Sequence, residues 1–166
     1  MAPRPATTLL GLAKRPELLI LDEPVASLDP LARREFLQHL MEAVAEHELS
    51  VVLSLHVVAD LERVCDQIVV LVDSQLQVGG AVETLLDTHH RLVGPRRDPA
   101  TLPANQQVIS ASHTDRQSTL VVRTSDPILD PAWTVSRLSL EDLVLEYMGR
   151  PPDTERGHLP ALEVLR

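Results

Sequence analysis

The chain has 166 residues, 44% of them apolar and 23% charged, which is the make-up of an ordinary globular domain and excludes a disordered or fibrous chain. Only three residues are aromatic (Phe36, Trp133 and Tyr147), the formal net charge is -9, and no Lys/Arg run exceeds two residues, so nucleic acid is excluded as a partner. The single cysteine, Cys65, cannot form an internal disulfide, which suits the reducing conditions of the cytoplasm.

Residues 1–13 hold an apolar stretch too short for a signal peptide and followed by Lys14-Arg15, and read as a cytosolic segment. Leu18-Leu-Ile-Leu21 is an unbroken apolar run between Pro16 and the acidic pair Asp22-Glu23, the pattern of a strand covered on both faces in a parallel sheet. From residue 30 to about 47 the apolar residues Phe36, Leu37, Leu40, Met41 and Val44 recur at three and four, which predicts a helix with one buried stripe. A strand over 50–55, a helix over 57–65 and a strand over 67–72 complete an α/β order with right-handed crossovers. The pairs Arg33-Arg34 and Arg96-Arg97 read as solvated surface. No apolar run approaches the roughly 20 residues that span a bilayer.

Asp73-Ser74 turns the chain into 75–78, Gly79-Gly80 breaks that segment, and residues 81–90 close a first domain as a helix. Residues 91–104, with three prolines and a basic pair, read as a linker. Beyond it, 107–111 and 119–123 form a hairpin, and a strand near Trp133 leads into a helix whose Leu140, Leu143, Val144, Tyr147 and Met148 fall on one stripe. Ser139, with Asp142 three residues on, suits that helix's start. Residues 105–149 are thus a small α+β appendage, and 150–166 a loose tail.

In open α/β sheets ligands sit at the carboxyl ends of the strands. Asp22 and Glu23 end one predicted strand and His56 another, so a parallel sheet brings the three to one rim. A carboxylate there can hold a hydrated magnesium ion, and its neighbour can orient and deprotonate a water for attack on a phosphoryl group. Each residue also has a purely structural account: polar residues close turns, and Asp29-Pro30 starts a helix, with Asp29 as cap and Pro30 in the first turn.

Leu18-Leu-Ile-Leu-Asp-Glu-Pro24 resembles the Walker B segment of ABC transporter ATPases, and Ala26-Ser-Leu-Asp-Pro30 their D-loop. Ser54-Leu-His56, with the following Val57 to Asp66, resembles their switch-histidine segment. The order and spacing agree, and the resemblance covers residues 9–90 closely. More loosely, the appendage resembles the C-terminal extensions of ABC-2 type exporters. The resemblance implies part of a P-loop NTPase parallel sheet, with ATP and Mg2+ as ligands. Asp22 would help hold the metal through water, Glu23 would be the general base, and His56 would contact the γ-phosphate and tie it to the base. Ser27, Leu28 and Asp29 would lie at the interface with a second ATPase subunit. Permease subunits would hold the dimer at the inner face of the plasma membrane and use it to drive export.

The sequence departs from that family in two places. Leu55 replaces a small hydroxyl residue, which on a strand points away from His56 and affects packing alone. No Gly-x-x-x-x-Gly-Lys-Ser/Thr run and no Leu-Ser-Gly-Gly-Gln run occurs among the 166 residues. The expectation is a fragment that lost an N-terminal half, inactive alone and with one edge of its inner strand open. Two alternatives stand beside it: an interaction module that binds intact subunits without turnover, and a truncated product without function.

Overall fold

The computed structural model describes residues 16–47, 49–55 and 57–149, in two units, Met1–Val64 and Cys65–Arg166. In the first unit, strand β1 (Leu18–Asp22) pairs in parallel with β2 (Ser50–Ser54), Leu18 facing Ser50 and Asp22 facing Ser54. Helix α1 (Pro30–His47) is the crossover between them. The Asp29 carboxylate starts it by accepting from the Leu31 and Ala32 amides at 3.0 and 3.1 Å, two of the donors that the first turn leaves without helical partners. The helix buries Leu37 and Leu40, while Leu21, Val25 and Leu49 are buried elsewhere in this unit.

One face of the β1–β2 pair stays open among the described residues: Leu18, Ile20 and Val52 are 52%, 69% and 56% exposed. The apolar run predicts cover on both faces of β1, with an open flank where neighbouring strands are not encoded. The described residues supply β1 with one strand neighbour and cover one face. Helix α2 (Val58–Leu61) is shorter than the predicted 57–65, because Val57 provides no side-chain cap and the chain turns again where the Val64 amide reaches Leu61.

The second unit corrects three expectations. Strand β3 (Gln67–Val72) does not join β1 and β2 in parallel but pairs antiparallel with β4 (Gln75–Ala81). The physical reason is the two-residue connection Asp73-Ser74, whose φ values of 50° and 62° match the twist of a tight hairpin. Gly79 and Gly80 do not break β4 but pair with Val69 and Ile68, Gly80 at a φ of 151° that favours glycine. Helix α3 (Val82–Thr88) then leads into β5 (His89–Pro95), so residues 91–95 lie in a strand and not in a linker.

Strand β5 lies between β7 (Gln117–Arg123) and β8 (Thr134–Arg137), and β7 pairs in turn with β6 (Gln107–His113), all antiparallel. Leu92, Leu120 and Val122 are fully buried around Trp133. Gly94 admits that indole: a Cβ there would lie 2.6 Å from both Ala132 O and Trp133 Cε3. Helix α4 (Leu140–Met148) is capped by Ser139, whose hydroxyl accepts from the Asp142 amide at 3.1 Å, and buries Leu140, Leu143, Val144 and Tyr147. Tyr147 meets the fully buried His89, hydroxyl to Nε2 at 2.9 Å, while His89 Nδ1 lies 2.7 Å from Leu85 O. A carbonyl can only accept, so Nδ1 carries the ring proton and Tyr147 donates to Nε2. The predicted tail, 150–166, lies outside the described residues.

Candidate functional site

The carboxyl ends of β1 and β2 meet at Ser54. Parallel register puts Asp22 beside Ser54, and the strand pleat turns both side chains to the exposed face. The Ser54 hydroxyl donates to Asp22 Oδ1 at 2.6 Å, and its oxygen, Ser54 Oγ, accepts from the Glu23 amide at 2.9 Å. That amide also lies 3.2 Å from Ser54 O. One residue of β2 therefore fixes the positions of two consecutive acidic residues, the last of β1 and the first beyond it.

Glu23 is held in an unusual conformation. Its φ of 45° lies in the left-handed region, which costs a residue with a Cβ roughly 1–2 kcal/mol. The bonds to Ser54 on one side and the buried Pro24 and Val25 on the other hold it there. The backbone turns sharply, with Ala26 and Leu28 amides donating to Glu23 and Val25 carbonyls at 3.3 and 3.1 Å. The turn carries Ser27 and Leu28 on to Asp29, Ser27 exposed and Leu28 half-buried. Asp29 itself caps α1, its structural role at this point.

Among the described residues no group of three His, Cys, Asp or Glu side chains converges to hold a metal. Asp22 is exposed and one of its oxygens is engaged by Ser54. A lone anchored carboxylate fits the magnesium mode in which one or two protein carboxylates, several waters and substrate phosphates share the shell. His56, the third predicted rim residue, lies outside the described residues.

Two contributors escaped the sequence reading. Ser54 carries no motif that singles it out, although a serine ending a strand is placed to exchange hydrogen bonds with the strand beside it. Arg33, read as solvated surface, is half-buried instead: its guanidinium pairs with Asp60 at 3.3 Å. Arg33 also lines a cavity of about 110 Å3 together with Glu23, Val25, Ala26, Leu55 and Val57. Arg97 is exposed, as the sequence predicts, and there pairs with Asp130 at 2.6 Å and lies 5.8 Å from the Trp133 ring centre. Burial, and secondarily the charge of Asp66, push the Cys65 thiol above its ordinary pKa, which keeps it protonated and unsuited to nucleophilic chemistry.

Fold and rim together define an α/β protein with adjacent carboxylates at the carboxyl end of a parallel strand pair, chemistry suited to a metal and a water. No family model matches the sequence. An ABC transporter ATP-binding protein of Bacillus subtilis, YxlF, is 41% identical over 80 residues, 46% of this chain and 26% of that protein. The Nod factor export ATP-binding protein I of Burkholderia lata is 30% identical over 158 residues, 92% of this chain and 49% of that protein. The molybdenum import ATP-binding protein ModC of Rhizobium etli is 31% identical over 115 residues, 69% of this chain and 32% of that protein. The chain is a relative of the ABC transporter ATP-binding proteins. It spans between about a quarter and a half of the length of these relatives.

Proposed function

We propose that this chain contributes the metal and water side of an ATP-hydrolysing site in an ABC transporter. The observation that carries the reading is the Ser54 clamp, which sets Asp22 and Glu23 side by side at the strand ends and holds Glu23 in a left-handed backbone conformation. Strain concentrated on an acidic residue at a sheet rim is what a site that must aim a carboxylate retains.

In this reading Asp22 holds Mg2+ through water, Glu23 orients and deprotonates the attacking water, and His56 contacts the γ-phosphate and links it to the base. When bound, the metal neutralises charge on the phosphate oxygens. Ser27, Leu28 and Asp29 face a second ATPase subunit. Contacts that grip the β- and γ-phosphates come from residues outside this sequence, which holds no Gly-x-x-x-x-Gly-Lys-Ser/Thr run. The partners are permease subunits at the cytoplasmic face of a membrane. The direction is export, a choice supported by the coverage of 92% of this chain by an export protein against 69% by an import protein. Among the described residues no helix is long and apolar enough to cross a membrane.

The test is Glu23→Gln in an assembly that binds and hydrolyses ATP. Nucleotide affinity stays within about twofold while turnover falls by about 10² to 10⁴, the worth of a general base. Normal turnover in that variant overturns the role given to Glu23.

A second reading is favoured by the exposed Leu18, Ile20 and Val52, which suit a module that binds another protein without turnover. In that case Glu23→Gln leaves the chain's partner binding and its effect on the partner unchanged, whereas Ile20→Lys abolishes both.

A further inference from the structure

A cleft of about 490 Å3 opens in the second unit, lined by Arg96, Arg97, Asp98, Pro99 and His113. That is room enough for a small molecule. Strand pairing builds it beside the turn between β6 and β7, where the Arg96 amide donates to Arg116 O at 3.0 Å and the Arg97 amide to Ser118 Oγ at 3.1 Å. Ser118 is fully buried, and its hydroxyl also lies 2.8 Å from His113 Nδ1 and 3.4 Å from Arg97 O. The single hydroxyl hydrogen goes to the nearer acceptor, Nδ1, so the imidazole proton sits on Nε2. That Nε2–H meets no acceptor among the described residues.

Arg97 is held from two sides. Asp130 accepts from its Nη1 at 2.6 Å, and the guanidinium lies 5.8 Å from the Trp133 ring centre, which leaves its other N–H groups for a ligand. Arg96 is exposed, and its side chain makes no hydrogen bond or ion pair among the described residues. Two guanidiniums and an imidazole N–H form a donor set suited to an oxyanion. Asp98 stands on the same wall. Its Oδ1 accepts from the Ala100 amide at 3.0 Å, while its Oδ2 meets no donor among the described residues. A carboxylate in that place repels an anion that can only accept, and favours one that also carries an O–H. Exposed arginines by themselves are ordinary surface. The buried hydroxyl that orients His113 and the free oxygen of Asp98 are what make this cleft selective.

We infer that the cleft binds a small phosphate that carries an O–H, either free phosphate or a monoester with a hydroxyl on its carbon skeleton. Arg96, Arg97 and His113 donate to the unprotonated phosphate oxygens, and Asp98 accepts from the hydroxyl. Sulfate has nearly the same size and shape but no O–H near neutral pH, so it leaves the Asp98 carboxylate facing an oxygen with nothing to donate.

The experiment is a titration of the 15N-labelled full chain with sodium phosphate and, separately, sodium sulfate near neutral pH, at an ionic strength kept constant with chloride. Nuclear magnetic resonance follows the Arg97 and Ser118 amides and the His113 ring. Phosphate shifts these signals saturably, with a Kd on the order of 1 mM, and sulfate binds at least about tenfold more weakly, the scale of one hydrogen bond to a charged group. Asp98→Asn keeps an oxygen for the Ala100 amide and replaces the free oxygen by a donor, so phosphate and sulfate then bind within about twofold of each other. Arg96→Gln, a change to an exposed side chain, weakens phosphate about fivefold. Glycerol 3-phosphate identifies the source: tighter binding than inorganic phosphate assigns a monoester, and equal or weaker binding assigns free phosphate. Shifts that do not saturate, equal binding of phosphate and sulfate by the parent chain, or phosphate binding unchanged in Arg96→Gln overturns the inference.

Discussion

Replacing Tyr147 by Phe removes one hydroxyl and keeps the ring that α4 buries. The loss falls on His89, whose Nε2 receives that hydroxyl at 2.9 Å and which is fully buried. With Nδ1 committed to Leu85 O at 2.7 Å, the ring cannot turn its acceptor to another group without giving up that bond. A buried acceptor left unpaired costs about 1–3 kcal/mol, which is the expected loss of stability at pH 7.5. Acid gives an independent check. Burial, the largest cause, lowers the His89 pKa, Arg123 and His90 lower it further, and the Leu85 bond partly opposes them. The folded chain thus binds fewer protons than the unfolded one, where the imidazole titrates near about 6.5. Stability from this group is complete above that pH and is lost as pH falls below it, by up to about 1.4 kcal/mol per pH unit until the folded-state pKa is reached. Urea unfolding followed by the fluorescence of Trp133, the single tryptophan, measures both effects in the second unit. His89→Phe removes the histidine's share of the acid slope, which separates it from the carboxylates. The reasoning is refuted by a Tyr147→Phe chain within about 0.3 kcal/mol of the parent, or by a slope between pH 6.5 and 5 that His89→Phe leaves unchanged.

Ser54→Ala removes the charge-assisted bond to Asp22 but leaves Glu23 N–H its contact with Ser54 O, so the expected cost is about 0.5–1.5 kcal/mol, read from the far-ultraviolet circular dichroism transition in urea. In the same variant, faster hydrogen exchange at the Glu23 amide reports the loosened rim. Asp29→Ala deprives the Leu31 and Ala32 amides of their acceptor and costs about 1 kcal/mol, with both amides exchanging faster and Asp29→Asn recovering most of the loss. Gly94→Ala drives a methyl to within 2.6 Å of Trp133 and Ala132, costing about 1–3 kcal/mol and changing the Trp133 emission.

Sequence alone determined what depends on neighbours along the chain. Asp29-Pro30 reads as a helix start and Ser139 as a cap because each rests on a contact within four residues, and the apolar run before Asp22-Glu23 reads as a strand from its own composition and bounds. Tertiary structure decided what depends on residues far apart. Ser54 reaches Asp22 across 32 positions, and only the parallel register brings them together. Arg33 looked like surface because a basic pair has no local reason to be buried, and Asp60, 27 positions away, supplies that reason. Residues 91–95 looked like a linker since Arg91, Gly94 and Pro95 interrupt any apolar alternation. Their place between β7 and β8 comes from pairing that buries Leu92 and from the space Gly94 leaves for Trp133. Local chemistry sets where an element starts and stops, but strand partners are chosen by burial and hydrogen bonding across the fold, which no short stretch of sequence contains.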